Sequence, residues 1–116
     1  MLCVDKKQLR YYNNKMPKTT VVNINTNKDF DVYIGRAGHG MDGYFGNPFT
    51  VGTRTSRINN FEKYAIKRIN NDPDFRTNVK QLYGKRLGCF CHPLPCHGDV
   101  LAKLAEKLNM EDEVFD

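Results

Sequence analysis

Leu87-Gly88-Cys89-Phe90-Cys91-His92-Pro93-Leu94-Pro95-Cys96-His97-Gly98-Asp99-Val100-Leu101 is the stretch whose reading decides the fold. Its beginning, together with Lys85 and Arg86, predicts a strand over 85–91. Leu87, Cys89 and Cys91 fall on one face and Phe90 on the other, the two-residue alternation of an extended chain. The segment His92-Pro93-Leu94-Pro95 is a stiff turn, because each proline fixes its own backbone angle. Val100, Leu101, Leu104, Ala105 and Leu108 then recur at helical spacing. They predict a helix over 97–108, with Asn109 to end it. A strand, a tight turn and an amphipathic helix place the C-terminal part of the chain in the α/β class.

The upstream sequence has the same character. Ile58, Phe61, Ala65 and Ile69 share one face of a helix expected over 56–70, capped by Thr55 or Ser56. Asn70-Asn71-Asp72 ends it. Asp72-Pro73 opens a second helix, with aspartate at the cap and proline at the first helical position. Phe75, Val79 and Leu82 form its inner stripe and Gly84 is its stop. Residues 19–25 and 31–35 are rich in β-branched and aromatic side chains and predict two strands around the turn Asn27-Lys28-Asp29. The order is therefore β-β-α-α-β-α. A strand, two helices and a strand invite a parallel crossover. The expected architecture is a small, single-domain, Rossmann-like α/β sheet with flanking helices, spanning 19–110. Residues 1–18 are a polar, loosely ordered appendage in which Met16 offers a second translation start, and 111–116 form an acidic, solvated tail.

Composition narrows the function classes. The chain has 116 residues, a formal charge of +5, 40% hydrophobic and 27% charged residues, the balance of a folded domain rather than a disordered tail. No apolar run approaches the roughly 18 residues of a membrane span, and the N-terminus lacks the apolar block of a secretory signal. The expectation is a cytoplasmic protein (host cytoplasm if viral) with no membrane partner. Four cysteines, three of them clustered, suit a metal or a reactive thiol better than a disulfide framework in a reducing compartment. The charge is uneven. Residues 1–52 carry seven positive and four negative groups, 53–86 nine and three, and 87–116 two and six, giving +3, +6 and −4. The middle block is either a solvated helical face or a surface for nucleic acid through Arg54, Arg57, Lys63, Lys67 and Arg68.

The chemistry-bearing residues lie in two segments. In the first, thiolate and neutral imidazole are preferred zinc ligands, and a closed structural site takes four of them. Cys91, Cys96 and His97 are the leading trio, with Cys89 on the same strand face as the fourth. The spacing Cys-x-Cys-x4-Cys-His is not that of a standard finger, and Cys89 also reads as a small buried hydrophobe. Without metal, Cys96-His97-Gly98-Asp99 begins a helix whose first amides and dipole favour an anion. There Cys96 is expected to have a lowered pKa, with His97 as base or donor and Asp99 in the first turn. The plainer reading is that Cys96 or His97 caps the helix and Asp99 complements the dipole.

The second segment runs from Gly35 to Phe49 and has five glycines in 15 residues, with Tyr44, Phe45 and Phe49 in need of packing or stacking partners. Its glycine spacing matches neither a P-loop nor a dinucleotide fingerprint. Ligands in parallel α/β sheets bind beyond the carboxyl ends of the strands. If the second and third strands are parallel neighbours, Arg36, the glycine-rich loop and Cys96-His97 converge. Arg36 offers a phosphate fork, Tyr44 or Phe45 a base-stacking surface, Asn47 a base-edge contact, and Gly98 close backbone approach. Gly46-Asn47-Pro48-Phe49 alternatively serves as a tight turn. His39 is either an exposed loop histidine or a base or ligand reaching in from this loop.

Val32-Tyr33-Ile34-Gly35-Arg36, Gly46-Asn47-Pro48-Phe49, Arg57 and Cys89-Phe90-Cys91 followed by Pro95-Cys96-His97-Gly98-Asp99-Val100-Leu101 carry a resemblance to a known family. The chain resembles the phage and bacterial family called domain of unknown function 4326, over about 19–108. Phe90 stands where that family more often has tryptophan, an exchange that conserves packing. The resemblance implies a small intracellular or viral protein and supplies no reaction. It also implies that the Gly-Asn-Pro-Phe loop and the Cys-His-Gly segment form one site.

The functional expectation is a protein that binds a small nucleotide-like ligand at the strand ends and hydrolyses it or transfers a group. Cys96, His97 and Asp99 would be its catalytic residues, and Arg36, Tyr44, Phe45, Asn47 and Gly98 its ligand-binding residues. Two alternatives use the same residues differently. One is a zinc-stabilised nucleic-acid-binding module with Cys89, Cys91, Cys96 and His97 on the metal. The other is a protein that sequesters a host factor or signalling nucleotide without turnover.

Overall fold

A computed structural model describes residues 18–38, 40–91 and 94–115, and the side chains through Met110. The expected appendage up to Pro17, with Cys3 and Met16, lies outside the described residues, as do His39 and His92. The elements are β1 (Thr20–Asn23), β2 (Val32–Tyr33), α1 (Arg54–Asn71), α2 (Pro73–Lys80), β3 (Arg86–Cys89) and α3 (His97–Phe115). This is the expected order. All three strands are parallel, in the order β1-β3-β2. Leu87 is in register with both Val21 and Val32, and Asn23 with Cys89.

The strand that is last in sequence is the middle of the sheet. The hydrogen-bond ladder runs past the strand ends, with Ile24 N–H donating to Cys89 O at 2.9 Å and Ile34 N–H to Gly88 O at 3.0 Å. Residues 24–31 must therefore carry the chain from one sheet edge to the other across β3. Gly88 is where they pass. A Cβ there would lie 2.8 Å from the Phe30 ring and 3.1 Å from Ile24, so any side chain would obstruct the crossing. The opposite face of the sheet bears Val21, Val32, Ile34, Leu87 and Cys89, and the three helices pack on it. Their contribution to this core is Phe61, Ala65 and Ile69 from α1, Phe75 and Val79 from α2, and Val100, Leu101, Leu104, Ala105 and Leu108 from α3. Every side chain expected inward on the helices is buried except Ile58, which is partly buried. The described residues form a mixed α/β domain of three helices and a three-stranded parallel sheet.

Four expected boundaries shift, and one of them is the end of α2, which stops at Lys80 with Gln81 as its cap and not at Gly84. The cap of α1 is Thr53 rather than Thr55 or Ser56, and its hydroxyl accepts from Ser56 N–H at 3.1 Å. The helix thus begins at Arg54, which matters for the site below. Asn109 does not end α3. Its side-chain amide donates back to Ala105 O at 2.8 Å and across to Lys80 O at 3.2 Å, so it ties α3 to the end of α2 while the helix continues to Phe115. The expected acidic tail is therefore helical backbone as far as Phe115. The strands are shorter than expected, β2 having two residues. By contrast, Asp72 and Pro73 start α2 as read from the sequence, with Asp72 Oδ1 accepting from the amides of Asp74 and Phe75, each at 3.1 Å.

Candidate functional site

Parallel alignment of β2 and β3 points both carboxyl ends the same way, toward the start of α3. A cavity of about 340 Å³ opens there. Its walls come from the end of β2 (Tyr33, Gly35, Arg36), the end of β3 (Cys89, Phe90, Cys91), the start of α3 (Pro95, Cys96, His97), Asn47 of the glycine-rich loop, and the first turn of α1 (Arg54, Arg57, Ile58). Two segments more than forty residues apart in sequence thus line one cavity, as the convergence argument requires.

Charge is the cavity's main property. Arg36, Arg54 and Arg57 line it, and among the described residues no aspartate or glutamate does. None of the three arginines makes an ion pair among the described residues. Their bonds are to backbone carbonyls. Arg36 donates from Nε to Asn47 O at 2.9 Å and from Nη2 to Phe49 O at 3.0 Å. Arg54 donates from Nη1 to Pro95 O at 3.1 Å, and Arg57 from Nε to Thr53 O at 3.4 Å. Each guanidinium keeps further N–H donors uncommitted, since it carries five. Along α1, positions 54, 57, 58, 61 and 65 form one inward stripe at helical spacing. Where the stripe reaches the cavity it changes from apolar to arginine.

This placement divides the basic set read from the sequence. Arg54 and Arg57 face the cavity. Lys63 and Lys67 are exposed. Arg68 lies over the Tyr44 and Phe75 rings, 5.2 and 4.1 Å from their centroids, and bonds to Tyr64 and Asp72. The five do not form one face.

The thiols and His97 are arranged in detail. Cys96 precedes α3 and caps it. Its Sγ accepts from Gly98 N–H at 3.3 Å, and its own N–H donates to Asp99 Oδ2 at 3.1 Å, the reciprocal pattern of a capping box with cysteine in place of serine. Asp99 is thus engaged in holding the helix start and does not line the cavity. Cys96 Sγ also lies 3.5 Å from Cys89 Sγ. The expectation of a lowered Cys96 pKa is overturned: the shared hydrogen bond with Cys89, and then burial, push this thiol well up, and the Gly98 amide only partly opposes them. Cys96 is a protonated thiol at neutral pH, not a standing thiolate.

His97 is buried and packs edge-on against Phe61. Its Nε2 lies 2.6 Å from the Ile34 carbonyl, which can only accept, so Nε2 carries the proton and Nδ1 the lone pair. Burial, with a smaller contribution from the Arg36 charge, holds the imidazole below its ordinary pKa. His97 is therefore a neutral ring of fixed tautomer on the cavity wall, with an Nδ1 that has no partner among the described residues. Tyr33 donates its O–H to Arg36 O at 2.6 Å and meets Phe90 edge-on.

Several nominated residues have other surroundings. Tyr44 and Phe45 lie outside this cavity. They pack on each other and on Phe75, and Tyr44 Oη accepts from Asn78 at 2.7 Å. Asn47 lines the cavity, but its amide donates to Arg57 O at 3.2 Å and its oxygen accepts from Phe49 N–H at 2.9 Å, fixing the loop to α1. Gly98 serves packing: a Cβ would lie 2.6 Å from Ile34 Cδ1 and 3.2 Å from both Val21 methyls. As for the zinc set Cys89, Cys91, Cys96 and His97, no group of three or more His, Cys, Asp or Glu among the described residues is placed to hold a metal. His97 Nε2 is committed to the sheet. No helix of the described residues is long and apolar enough to cross a membrane.

The sequence reading did not place Arg54, Arg57 or Tyr33 at the ligand site. The signal for the first two was present, since both fall on the phase of Ile58, Phe61 and Ala65.

A family model described as a domain of unknown function (DUF4326) matches residues 19–107. The chain belongs to that family. A relative, an uncharacterized 12.4 kDa protein in the nrdA-td intergenic region of Enterobacteria phage T4, is 39% identical over 84 residues, covering 72% of this chain and 75% of that protein. No solved structure matches. The expected family membership holds, and the relative is a phage protein. The matched region begins one residue before β1 and ends within α3, so it takes in every wall of the cavity.

Proposed function

We propose that this cavity binds a small phosphorylated ligand of the nucleotide class. One observation carries the reading: three arginines without carboxylate partners among the described residues line a cavity at the carboxyl ends of two parallel strands. Guanidiniums that keep N–H donors to spare beside a partly enclosed space attract an anion, and their planar forks suit phosphate oxygens. The position is the one Rossmann-like sheets use for ligands, and the volume of about 340 Å³ falls at the lower end of small-molecule sites. In this reading Arg36, Arg54 and Arg57 hold the anion. Tyr33 and Phe90 supply the aromatic wall in place of Tyr44 and Phe45. His97 Nδ1 is the hydrogen-bond acceptor and, for hydrolysis or group transfer, the proton acceptor. Cys96 is given no part in that reaction, its sulfur resting against Cys89 Sγ and the Gly98 amide.

Titration calorimetry with nucleoside mono-, di- and triphosphates, the matching nucleosides and inorganic phosphate tests this. Phosphorylated compounds bind and nucleosides do not. Arg57→Gln, which removes charge-assisted bonds of roughly 1.5–3 kcal/mol, weakens binding about ten- to hundredfold. Absence of any phosphate-dependent binding refutes the reading. A nucleic-acid surface gives a different result: steep salt dependence, and sensitivity to Lys63→Gln and Lys67→Gln rather than to Arg57→Gln.

A further inference from the structure

The cavity floor holds a pair of thiols that ligand binding does not use. Cys89 ends β3 and Cys96 caps α3. Both are buried, 1% and 3% exposed, and both residues line the cavity. Their sulfurs are 3.5 Å apart and all three described cysteines are reduced. A disulfide needs about 2.05 Å between sulfurs, a closure of about 1.5 Å that lies within the reach of side-chain rotation. Among the described residues the Cys96 sulfur bonds with Cys89 and the Gly98 amide, so turning it toward Cys89 gives up one weak N–H···S bond. Cys91 lines the same cavity, half-buried.

We propose that Cys89 and Cys96 are a redox-active dithiol that low-molecular-weight disulfides oxidise to an intramolecular disulfide. One thiol of the pair, after losing its proton to solvent through the cavity, attacks a sulfur of the oxidant RSSR. A protein–S–S–R bond forms and RS⁻ leaves. The second thiol, deprotonated in turn, attacks the protein sulfur of that mixed disulfide, forms the Cys89–Cys96 bond and releases the second RS⁻. The two thiolates released take up the two protons lost. The pair gives up two electrons and one RSSR becomes two RSH. The Cys89 hydrogen bond and burial keep the Cys96 proton in place at neutral pH, so the reaction speeds up as pH rises. The step does not depend on what the cavity binds.

The test uses the full reduced chain and glutathione disulfide, followed by acid quench, alkylation in denaturant, intact mass and peptide mapping. Of the four thiols, two are lost, Cys89 is joined to Cys96, and no glutathione is retained. Cys91→Ser gives the same product. Cys96→Ser keeps an oxygen acceptor at the cap and stops the reaction short of the intramolecular bond. Three results overturn the proposal. They are glutathione retained on Cys91 with Cys89 and Cys96 still alkylated, a disulfide that joins Cys91 instead, and one equivalent of zinc in the purified protein that must leave before these thiols react. Because the wild-type map decides alone, a variant that fails to fold does not rescue the proposal.

Discussion

Gly98→Ala tests how closely α3 rests on the sheet. In an exposed helix the change stabilises by about 1 kcal/mol, because alanine loses less backbone entropy than glycine. Here the added methyl meets Ile34 Cδ1 at 2.6 Å and the two Val21 methyls at 3.2 Å. Ile34 is fully buried, so its terminal methyl has no open space to move into. Overpacking of this kind costs roughly 1–3 kcal/mol. The clash outweighs the propensity gain, and the expected net loss is about 1–2 kcal/mol, near 4–8 °C of Tm per kcal/mol for a domain somewhat smaller than this and less for larger ones. Ile34→Val removes the atom struck. Alone it costs about 0.5–1.5 kcal/mol, but in the Gly98→Ala background it restores stability, so a double-mutant cycle by urea denaturation shows coupling on the order of 1 kcal/mol. Gly98→Ala as stable as the parent, or additive with Ile34→Val, refutes the packing account and returns Gly98 to the role of a ligand-contact glycine.

Other outcomes follow from neighbouring features. His97 is neutral in the fold with a pKa below its ordinary value, so the unfolded chain binds the extra proton first. Stability is then full above the ordinary histidine range and falls as pH drops through it toward the lower folded value; a urea midpoint that declines from pH ~7 to ~5, and declines less in His97→Gln, is the signature. Asn47→Ala removes the bond that ties the loop to α1 and the local bond to Phe49 N–H, and costs about 1–3 kcal/mol, read by thermal melting, with ligand affinity reduced as well. Asp99→Ala loses half of the capping box and about 1 kcal/mol of stability, and any turnover the protein has survives it, as a steady-state assay would show.

Much of the fold was legible because its signals are local. The α2 start at Asp72-Pro73 and the apolar stripes of all three helices depend on neighbours within one or two turns. The site was half legible for the same reason. Parallel strands must end at the same edge, so Arg36 and His97 had to approach once β2 and β3 were adjacent. Loop packing, however, is not local. Tyr44 and Phe45 turned toward Phe75 and Arg68, contacts that no spacing in the chain encodes. Cys96 misled through environment. A helix start lowers a thiol pKa in isolation, but a second thiol at 3.5 Å and burial reverse the sign. Arg54 and Arg57 read as part of a basic run, although their phase with Ile58 and Phe61 sets them beside the cavity.

Residues 86–89 have a consequence for how the molecule comes into being. Both outer strands pair with β3, and β1 and β2 have no bond to each other in the sheet. A nascent chain that has not yet released Arg86 from the ribosome therefore owns no sheet. It holds two unpaired edge segments, a two-helix hairpin and three arginines with nothing to face. Sheet, helix layer and cavity all close in one late event, when the residues from Arg86 onward arrive. Removal of those residues by truncation or proteolysis abolishes the whole structure rather than trimming it.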